Sequence, residues 1–198
     1  MDQGDWDSRY AGDELLWRAD PNRFLVAEAE SLPPGRVLDV ACGEGRNAVW
    51  LATRGWRATG VDFSQVALTK AQGLAAQRAV SVEWIHADLL DWVPPAGRFD
   101  LVAVLYLQLP TESRRSVYRR MASAVAPGGT MLVVGHDLAN LTEGYGGPQD
   151  PAVLFTPDDL VSDLEGLDVI KAERVRRPVQ TDDGEVQAID ALVRAVRR

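Results

Sequence analysis

Three aspartates stand where their carboxylates could do chemistry. Asp39 lies in Val37-Leu38-Asp39-Val40-Ala41, directly before the glycine-rich stretch Cys42-Gly43-Glu44-Gly45-Arg46-Asn47. Asp62 closes the apolar run at 57–61, and Asp88 follows the run at 80–85, in Ala87-Asp88-Leu89. An apolar strand that runs into glycines and then into a helix is a ligand-binding turn. The glycines let the backbone approach a ligand, and the helix N-terminus presents free N–H groups. A carboxylate at the end of the next strand can accept both hydroxyls of a ribose, and one after the third can accept from an adenine amino group. Gly43-x-Gly45-x-x-Ala48 also fits the dinucleotide pattern, so a nicotinamide-dependent reductase has to be weighed. Asp39 argues against it. A carboxylate there can meet an ammonium and would oppose a pyrophosphate, so a nucleoside carrying an amino acid fits better than one carrying a diphosphate.

Two further side chains could act on a second substrate. His136, in Gly135-His136-Asp137, sits at the end of the fifth strand, where an imidazole could take a proton. A histidine bonded to a loop carbonyl is the alternative. Tyr106 follows the fourth strand and can orient an acceptor through its hydroxyl, or simply pack. His86 reads as structural or as lining the adenine pocket. Cys42 reads as a small packing residue, because Asp39 and Glu44 disfavour a thiolate. Asp137 and Asn140 alone do not make a divalent-metal site, and His and Cys are too few for zinc, so no metal is expected.

These residues need a scaffold that brings strand ends together. Strands are expected at 36–41, 57–61, 80–85, 99–105 and 130–135, with helices between them. Ser64 and Thr111 read as helix caps, Asp20-Pro21 as a cap with proline at the first helical position, and Pro127-Gly128-Gly129 as a turn. Two-sided apolar strands alternating with helices imply a parallel sheet covered on both faces. The end differs: 168–177 and 186–196 read as a hairpin joined by Thr181-Asp182-Asp183-Gly184. The expected fold is α/β, a Rossmann-like, doubly wound, mostly parallel seven-stranded sheet with a C-terminal antiparallel hairpin. Residues 1–20 carry Trp6, Tyr10 and Trp17 without a clean period and read as an arm or lid. Residues 138–156 form a long, glycine-containing insertion of lid-like character. The arginines at 174, 176, 177, 194, 197 and 198 read as a solvated basic edge.

Composition narrows the partners. The 198 residues suit one domain, and the one cysteine rules out an intrachain disulfide. The formal charge of -8 disfavours a polyanion partner, so no nucleic acid is expected. No signal peptide is recognisable at the start and no apolar run reaches about 18 residues, so no membrane partner is expected and the cytoplasm is the default.

At the residues quoted, the sequence resembles the class I S-adenosylmethionine-dependent methyltransferases. The resemblance rests on the loop from Asp39 to Gly45, Asp62, Ala87-Asp88, Phe99-Asp100, Pro127-Gly128-Gly129 and the terminal hairpin. Ala41 stands where a first glycine is often found. Within the class, Cys42-Gly43-Glu44-Gly45-Arg46-Asn47 and Thr181-x-x-Gly184 look most like the tellurite-resistance and thiopurine-type small-molecule branch. The tellurite-type proteins carry a His-Arg pair before the hairpin turn, where this chain has Val179-Gln180. The resemblance implies S-adenosylmethionine as cofactor, S-adenosylhomocysteine as product and a small-molecule methyl acceptor. It implies that Asp39 holds the methionine end, Asp62 the ribose and Asp88 the adenine. Ala41, Cys42, Gly43, Gly45, Asn47, Phe63, Ser64, Ala87, Leu89 and Leu105 complete the implied cofactor site. The Trp6-x-x-Arg9-Tyr10 spacing resembles the arm that covers the cofactor, with Arg9 on the methionine carboxylate. The run Leu105-Tyr106-Leu107-Gln108-Leu109-Pro110 lacks the Asn/Asp-Pro-Pro-aromatic pattern of amino-directed DNA methyltransferases. A non-catalytic module that binds the cofactor and docks a partner remains the other alternative.

Overall fold

The computed structural model describes residues 3–12, 14–16 and 19–198; Trp17 lies outside them. Seven strands form one sheet: β1 (Arg36–Val40), β2 (Arg57–Asp62), β3 (Val82–His86), β4 (Phe99–Leu105), β5 (Val125–His136), β6 (Asp168–Thr181) and β7 (Gly184–Val196). Their spatial order is β3-β2-β1-β4-β5-β7-β6. The first five run parallel, and β7 enters antiparallel between β5 and β6. The chain builds outward from β1 to β3, then returns to β4 on the other side of β1. That reversal opens a crevice at the C-terminal ends of β1 and β4, where sheets of this kind bind ligands.

Alternation along the central strands explains the layering. Leu38, Val40, Val102, Val104, Met131 and Val133 face one side, with Val117 and Met121 of α5 (Thr111–Ala124) and Leu160 of α7 (Pro157–Asp163). Val37, Leu101, Ala103, Leu132 and Val134 face the other, with Leu25 of α2 (Arg23–Ala29) and Ala48 and Leu51 of α3 (Arg46–Thr53). Side chains that alternate across a pleat can only all be buried when helices cover both faces. Helix α4 (Gln65–Gln77) packs against α3 through Leu74, Ala75 and Val49.

Several boundaries differ from expectation, each for a local reason. Asn22, not Asp20, caps α2: its Oδ1 accepts from the N–H groups of Phe24 and Leu25. Pro110 occupies the cap position of α5, and Thr111 is its first helical residue without capping it. Ser64 caps α4 as expected, its Oγ accepting from Ala67 N–H. Pro127-Gly128-Gly129 lies inside β5 rather than before it. The register shifts there, and the pair Gly128 N–H to Arg197 O and Arg197 N–H to Gly129 O keeps the backbone paired with the chain beyond β7. The hairpin is longer than its apolar pattern, with β6 reaching Thr181. Pro178 is tolerated because β6 is an edge strand.

The arm contains a helix, α1 (Gln3–Tyr10), on which Trp6 and Tyr10 stack one turn apart. The insertion contains a helical turn, α6 (Asn140–Glu143), and a 3-10 turn at Pro151–Val153. Leu154 and Phe155 bury its end in the core.

One contact under the glycine turn has a measurable consequence. A Cβ added at Gly60 would lie 2.6 Å from Cζ3 of Trp84 and 2.9 Å from Sγ of Cys42. Gly60→Ala is expected to destabilise the protein by about 1–3 kcal/mol, the usual cost of overpacking. Trp84→Leu in the same chain should relieve part of that loss. Urea unfolding of the two variants measures it; full stability in Gly60→Ala would mean that the indole yields freely.

Candidate active site

The crevice is bounded by two residues in an unusual conformation. Ala41, after β1, has φ 55°, and Tyr106, after β4, has φ 60°. The left-handed region costs a residue with a Cβ of the order of 1 kcal/mol, so such residues persist only where the surroundings impose them. This accounts for the glycine often found at the position of Ala41. Gly43 and Gly45 follow in the same region, at φ 53° and 78°.

The strand-end acids are placed around this turn. Asp39 is buried, and its Oδ2 accepts from Ala48 N–H in the first turn of α3 at 3.0 Å. Burial pushes its carboxyl up to about 7, against the opposing pull of that N–H and of Arg46. Asp62 is also buried. Its Oδ2 accepts from Gly43 N–H at 2.8 Å and its Oδ1 from Ser64 N–H at 2.9 Å, which fixes the glycine turn to the end of β2. Burial raises this carboxyl too, although the N–H groups of Ser64 and Gly43 oppose it. Asp88 is exposed, with Oδ1 accepting from Leu90 N–H. Ala87 and Leu89 flank it, and Leu89 joins the core. His86 Nε2 lies 2.8 Å from the carbonyl of Phe63.

The other residues of the turn divide between site and scaffold. Cys42 is buried, and burial, then Asp39 and Asp62, push its thiol well above its ordinary value, which suits packing. Asn47 Oδ1 accepts from Asn22 N–H at 2.8 Å, so this amide ties α2 to the turn. Leu105 is buried at the end of β4. From the arm, Tyr10 is buried, and its hydroxyl would lie 2.9 Å from a Cβ at Gly43. Asp7 and Ser64 Oγ hydrogen-bond, joining α1 to the cap of α4. Arg9 stacks on the Trp6 ring.

Sequence reasoning missed several residues here. Glu44 is buried, pairs with Lys70 at 3.1 Å and accepts from Leu16 N–H, so it anchors the end of the arm. Arg46, half-buried at the start of α3, lies within electrostatic reach of Tyr106, Asp39, Arg177 and Tyr10. Burial lowers its guanidinium from the ordinary value.

Tyr106 and His136 belong to one cluster, and its centre is Asp190 of β7. Asp190 is fully buried and is the register partner of His136. Its Oδ2 accepts from the Tyr106 hydroxyl at 2.7 Å and from Arg177 Nε at 3.0 Å. Its Oδ1 faces Nδ1 of His136 at 3.2 Å. Burial works to raise the Asp190 carboxyl. The contacts to His136, Arg177 and Tyr106 outweigh it and hold the group below its ordinary 3.8. The Tyr106 phenol is pushed up, first by burial and then by Asp190. The Tyr106 and His136 rings meet at 5.0 Å between centroids. Gly147 of the insertion backs the imidazole: a Cβ there would come within 2.9 Å of Nδ1 and Cε1.

The basic edge is solvated in part: Arg174, Arg176 and Arg198 are exposed, whereas Arg177 and Arg194 are half-buried. Arg177 pairs with Asp190, Arg174 with Asp137, Arg194 with Glu28 and Arg198 with Asp168. Val179 and Gln180 lie farther out on the hairpin, where Gln180 bonds Glu185, so the arginine that enters the site is Arg177. Asp137 and Asn140 are likewise occupied. Asp137 accepts from Ala139 N–H and Arg174, and Asn140 accepts from Ile189 N–H and donates to Gly146 O. Among the described residues no group of three or more His, Cys, Asp or Glu could hold a metal ion.

With this geometry in view, the comparisons are specific. The strand order and hairpin are those of the methyltransferase fold. A structure from a study of the conversion of a disulfide bond into a thioacetal group during echinomycin biosynthesis superposes with a TM-score of 0.79. It is 24% identical and covers 98% of this chain and 91% of the other. The N-methyltransferase NodS from Bradyrhizobium japonicum, in complex with S-adenosyl-L-homocysteine, gives a TM-score of 0.72 at 22% identity, covering 98% and 97%. In sequence, a 2-heptyl-1-hydroxyquinolin-4(1H)-one methyltransferase of Mycobacteroides abscessus is 34% identical over 117 residues. That match covers 58% of this chain and about half, 52%, of the relative. Residues 37–129 match the family described as a methyltransferase domain. In fold and in this matched segment the chain is similar to the class I S-adenosylmethionine-dependent methyltransferases.

The residues fit the cofactor of that class. Asp39, raised by burial and accepting one N–H, suits an added cation such as an ammonium. Asp62 accepts one N–H on each oxygen, which leaves lone pairs for hydroxyl donors.

The Asp190 cluster makes its own prediction. Arg177→Met removes one charged donor from a buried carboxylate and should cost about 1.5–3 kcal/mol near neutral pH, the range for hydrogen bonds to charged groups. The folded carboxyl lies below 3.8, so this contribution is present above that value and fades as pH falls below it. Chemical denaturation across that range should show wild type and variant converging in acid. A constant difference would show that Arg177 stabilises by packing.

Proposed function

We propose that this protein transfers the methyl group of S-adenosylmethionine to a small-molecule acceptor, with His136 as the base and Tyr106 orienting the acceptor. The observation that carries the reading is the juxtaposition at one crevice. Asp39 and Asp62 lie at the ends of β1 and β2, and Tyr106 and His136 lie at the ends of β4 and β5, joined by Asp190 from the middle of β7.

The cofactor supplies an activated methyl carbon, so no protein nucleophile is needed. Asp39 receives the ammonium and Asp62 the ribose hydroxyls. Asp88 lies by the adenine, with Ala87 and Leu89 beside it. The turn from Ala41 to Gly45 brings backbone close to the ligand, with Phe63, Ser64 and Leu105 around it and Tyr10 covering Gly43. Arg46, within electrostatic reach of Asp39 and Tyr106, is a second candidate beside Arg9 for pairing with the methionine carboxylate. His136 takes a proton from an acceptor that carries one. Gly147 and the insertion shield the ring from solvent. The relative that acts on a hydroxyquinolinone is consistent with an acidic heteroatom acceptor. The acidic surface supports a small acceptor over nucleic acid.

Calorimetry with S-adenosylhomocysteine and with NAD tests the cofactor; tight binding of NAD alone overturns the reading in favour of a reductase. A screen for S-adenosylhomocysteine release across thiols, chalcogen oxyanions, phenols and amines tests the activity. No turnover with any of them would favour a non-catalytic binding module.

Two variants give sharper expectations. Asp62→Ala should weaken S-adenosylhomocysteine binding by about 1–3 kcal/mol; unchanged affinity would mean that the ribose lies elsewhere. His136→Ala should lower turnover, by about 10²–10⁴-fold for a lost general base, while cofactor affinity stays the same. Unaltered turnover would return His136 to a structural role.

The Asp39 carboxyl adds a pH dependence. Its folded value, about 7, lies above its unfolded 3.8, so the ligand-free protein loses stability as pH rises between the two. A bound ammonium favours the charged form. Affinity for S-adenosylhomocysteine should therefore rise by up to about tenfold per unit from roughly pH 5.5 and level off above about 7. Asp39→Asn should flatten that profile, and a flat wild-type profile would contradict the assignment.

A further inference from the structure

Asp190 is a fully buried carboxylate that the chemistry above does not use. Its two oxygens are divided between different partners. Oδ2 takes both the Tyr106 hydroxyl and Arg177 Nε, and Oδ1 is left to the imidazole of His136. Oδ1 and Nδ1 face each other at 3.2 Å, and among the described residues neither has another hydrogen-bond partner. Were the neutral ring protonated at Nε2, a lone pair on Nδ1 would confront a carboxylate oxygen in a buried site. A proton on Nδ1 removes that repulsion.

We propose that Asp190 is the positioning residue of this site: it holds His136 as the Nδ1–H tautomer, so that Nε2 carries the lone pair that takes the acceptor's proton. The inference rests on the reading of His136 as the base. It also specifies the acceptor as a heteroatom that arrives with its proton, such as a phenolic or N-hydroxy O–H or a thiol S–H. The proton passes from the heteroatom to Nε2. The heteroatom's electron pair forms the new bond to the methyl carbon, and the pair of the broken carbon–sulfur bond stays on sulfur. The resulting imidazolium lies against an ionised Asp190.

The groups around the ring agree with this division. Tyr106, from the end of β4, and Arg177, from β6, both donate to Oδ2 and so preserve the charge of Asp190. Arg46, from α3, acts on Tyr106. Asp137, next to His136 in the chain, is occupied by Arg174. The insertion meets the ring with Gly147, which has no ionisable group.

The two histidines of the chain, His86 and His136, make the test direct. Nitrogen-15 NMR of the imidazole rings, with S-adenosylhomocysteine bound, reads which nitrogen carries the proton in the neutral ring. His86→Gln assigns the signals. The proposal expects the proton of neutral His136 on Nδ1 in the wild type. In Asp190→Asn, whose amide can donate as well as accept, the share on Nδ1 should fall by about twofold or more. A wild-type ring protonated on Nε2, or an unaltered tautomer in a folded Asp190→Asn, overturns it. If Asp190→Asn does not fold, the wild-type spectrum still decides. The base reading fails separately, through unaltered turnover in His136→Ala, and that result leaves the tautomer measurement standing.

Discussion

A carboxylate with no access to water has to be compensated where it stands, and Asp190 organises half of this molecule around that requirement. Its partners come from just past the end of β4, from the end of β5 and from within β6. A hydroxyl, an imidazole and a guanidinium converge on two oxygens, so these strand ends cannot drift apart without stranding a charge. The other half of the crevice uses a related device. The Asp62 carboxylate accepts backbone N–H groups from the glycine turn and from the start of the α4 segment. Two buried acids thus fix the crevice, one on each side of the β1–β4 reversal.

Much of this was legible in the sequence, and the reasons are local. Asp39, Asp62 and Asp88 stand out in the sequence because each lies in or just after the end of a short apolar run, and the parallel sheet followed from strands with no polar face. His136 and Tyr106 were found as strand-end residues. Asp190 and Arg177 were not. Asp190 sits within the apolar run Ala188-Ile189-Asp190-Ala191-Leu192, where a single acid has no partner in sequence. Arg177 is one of several arginines that alternate along an edge strand. What separates them is register: antiparallel pairing sets Asp190 opposite His136 and brings Arg177 alongside. A lone acid in an apolar strand was the available signal, since such a group is rarely buried without a partner.

The boundary errors have a similar origin. Asp20-Pro21 and Pro127-Gly128-Gly129 are strong local punctuation, yet tertiary pairing overrode both. Asn22 caps α2 while its N–H is held by Asn47, and the glycines of 128–129 pair with the end of the chain. The alternating pattern of β6 and β7 underestimated the hairpin, because the outer part of β6 is exposed and no longer needs apolar residues.

Gly147 has a positive φ of 74° and lies flush against His136. Around that fixed point, most of the stretch from Glu143 to Pro151 is exposed. The stretch therefore meets the His136 ring at one position that tolerates no side chain and is otherwise largely exposed, while Asn140, Leu154 and Phe155 anchor the insertion on either side of it. Selection could rewrite the rest of it, in length or in chemistry, without disturbing the sheet, the glycine turn or the buried acids. In such a division of labour the strands keep the crevice fixed and the loop is left to vary around it.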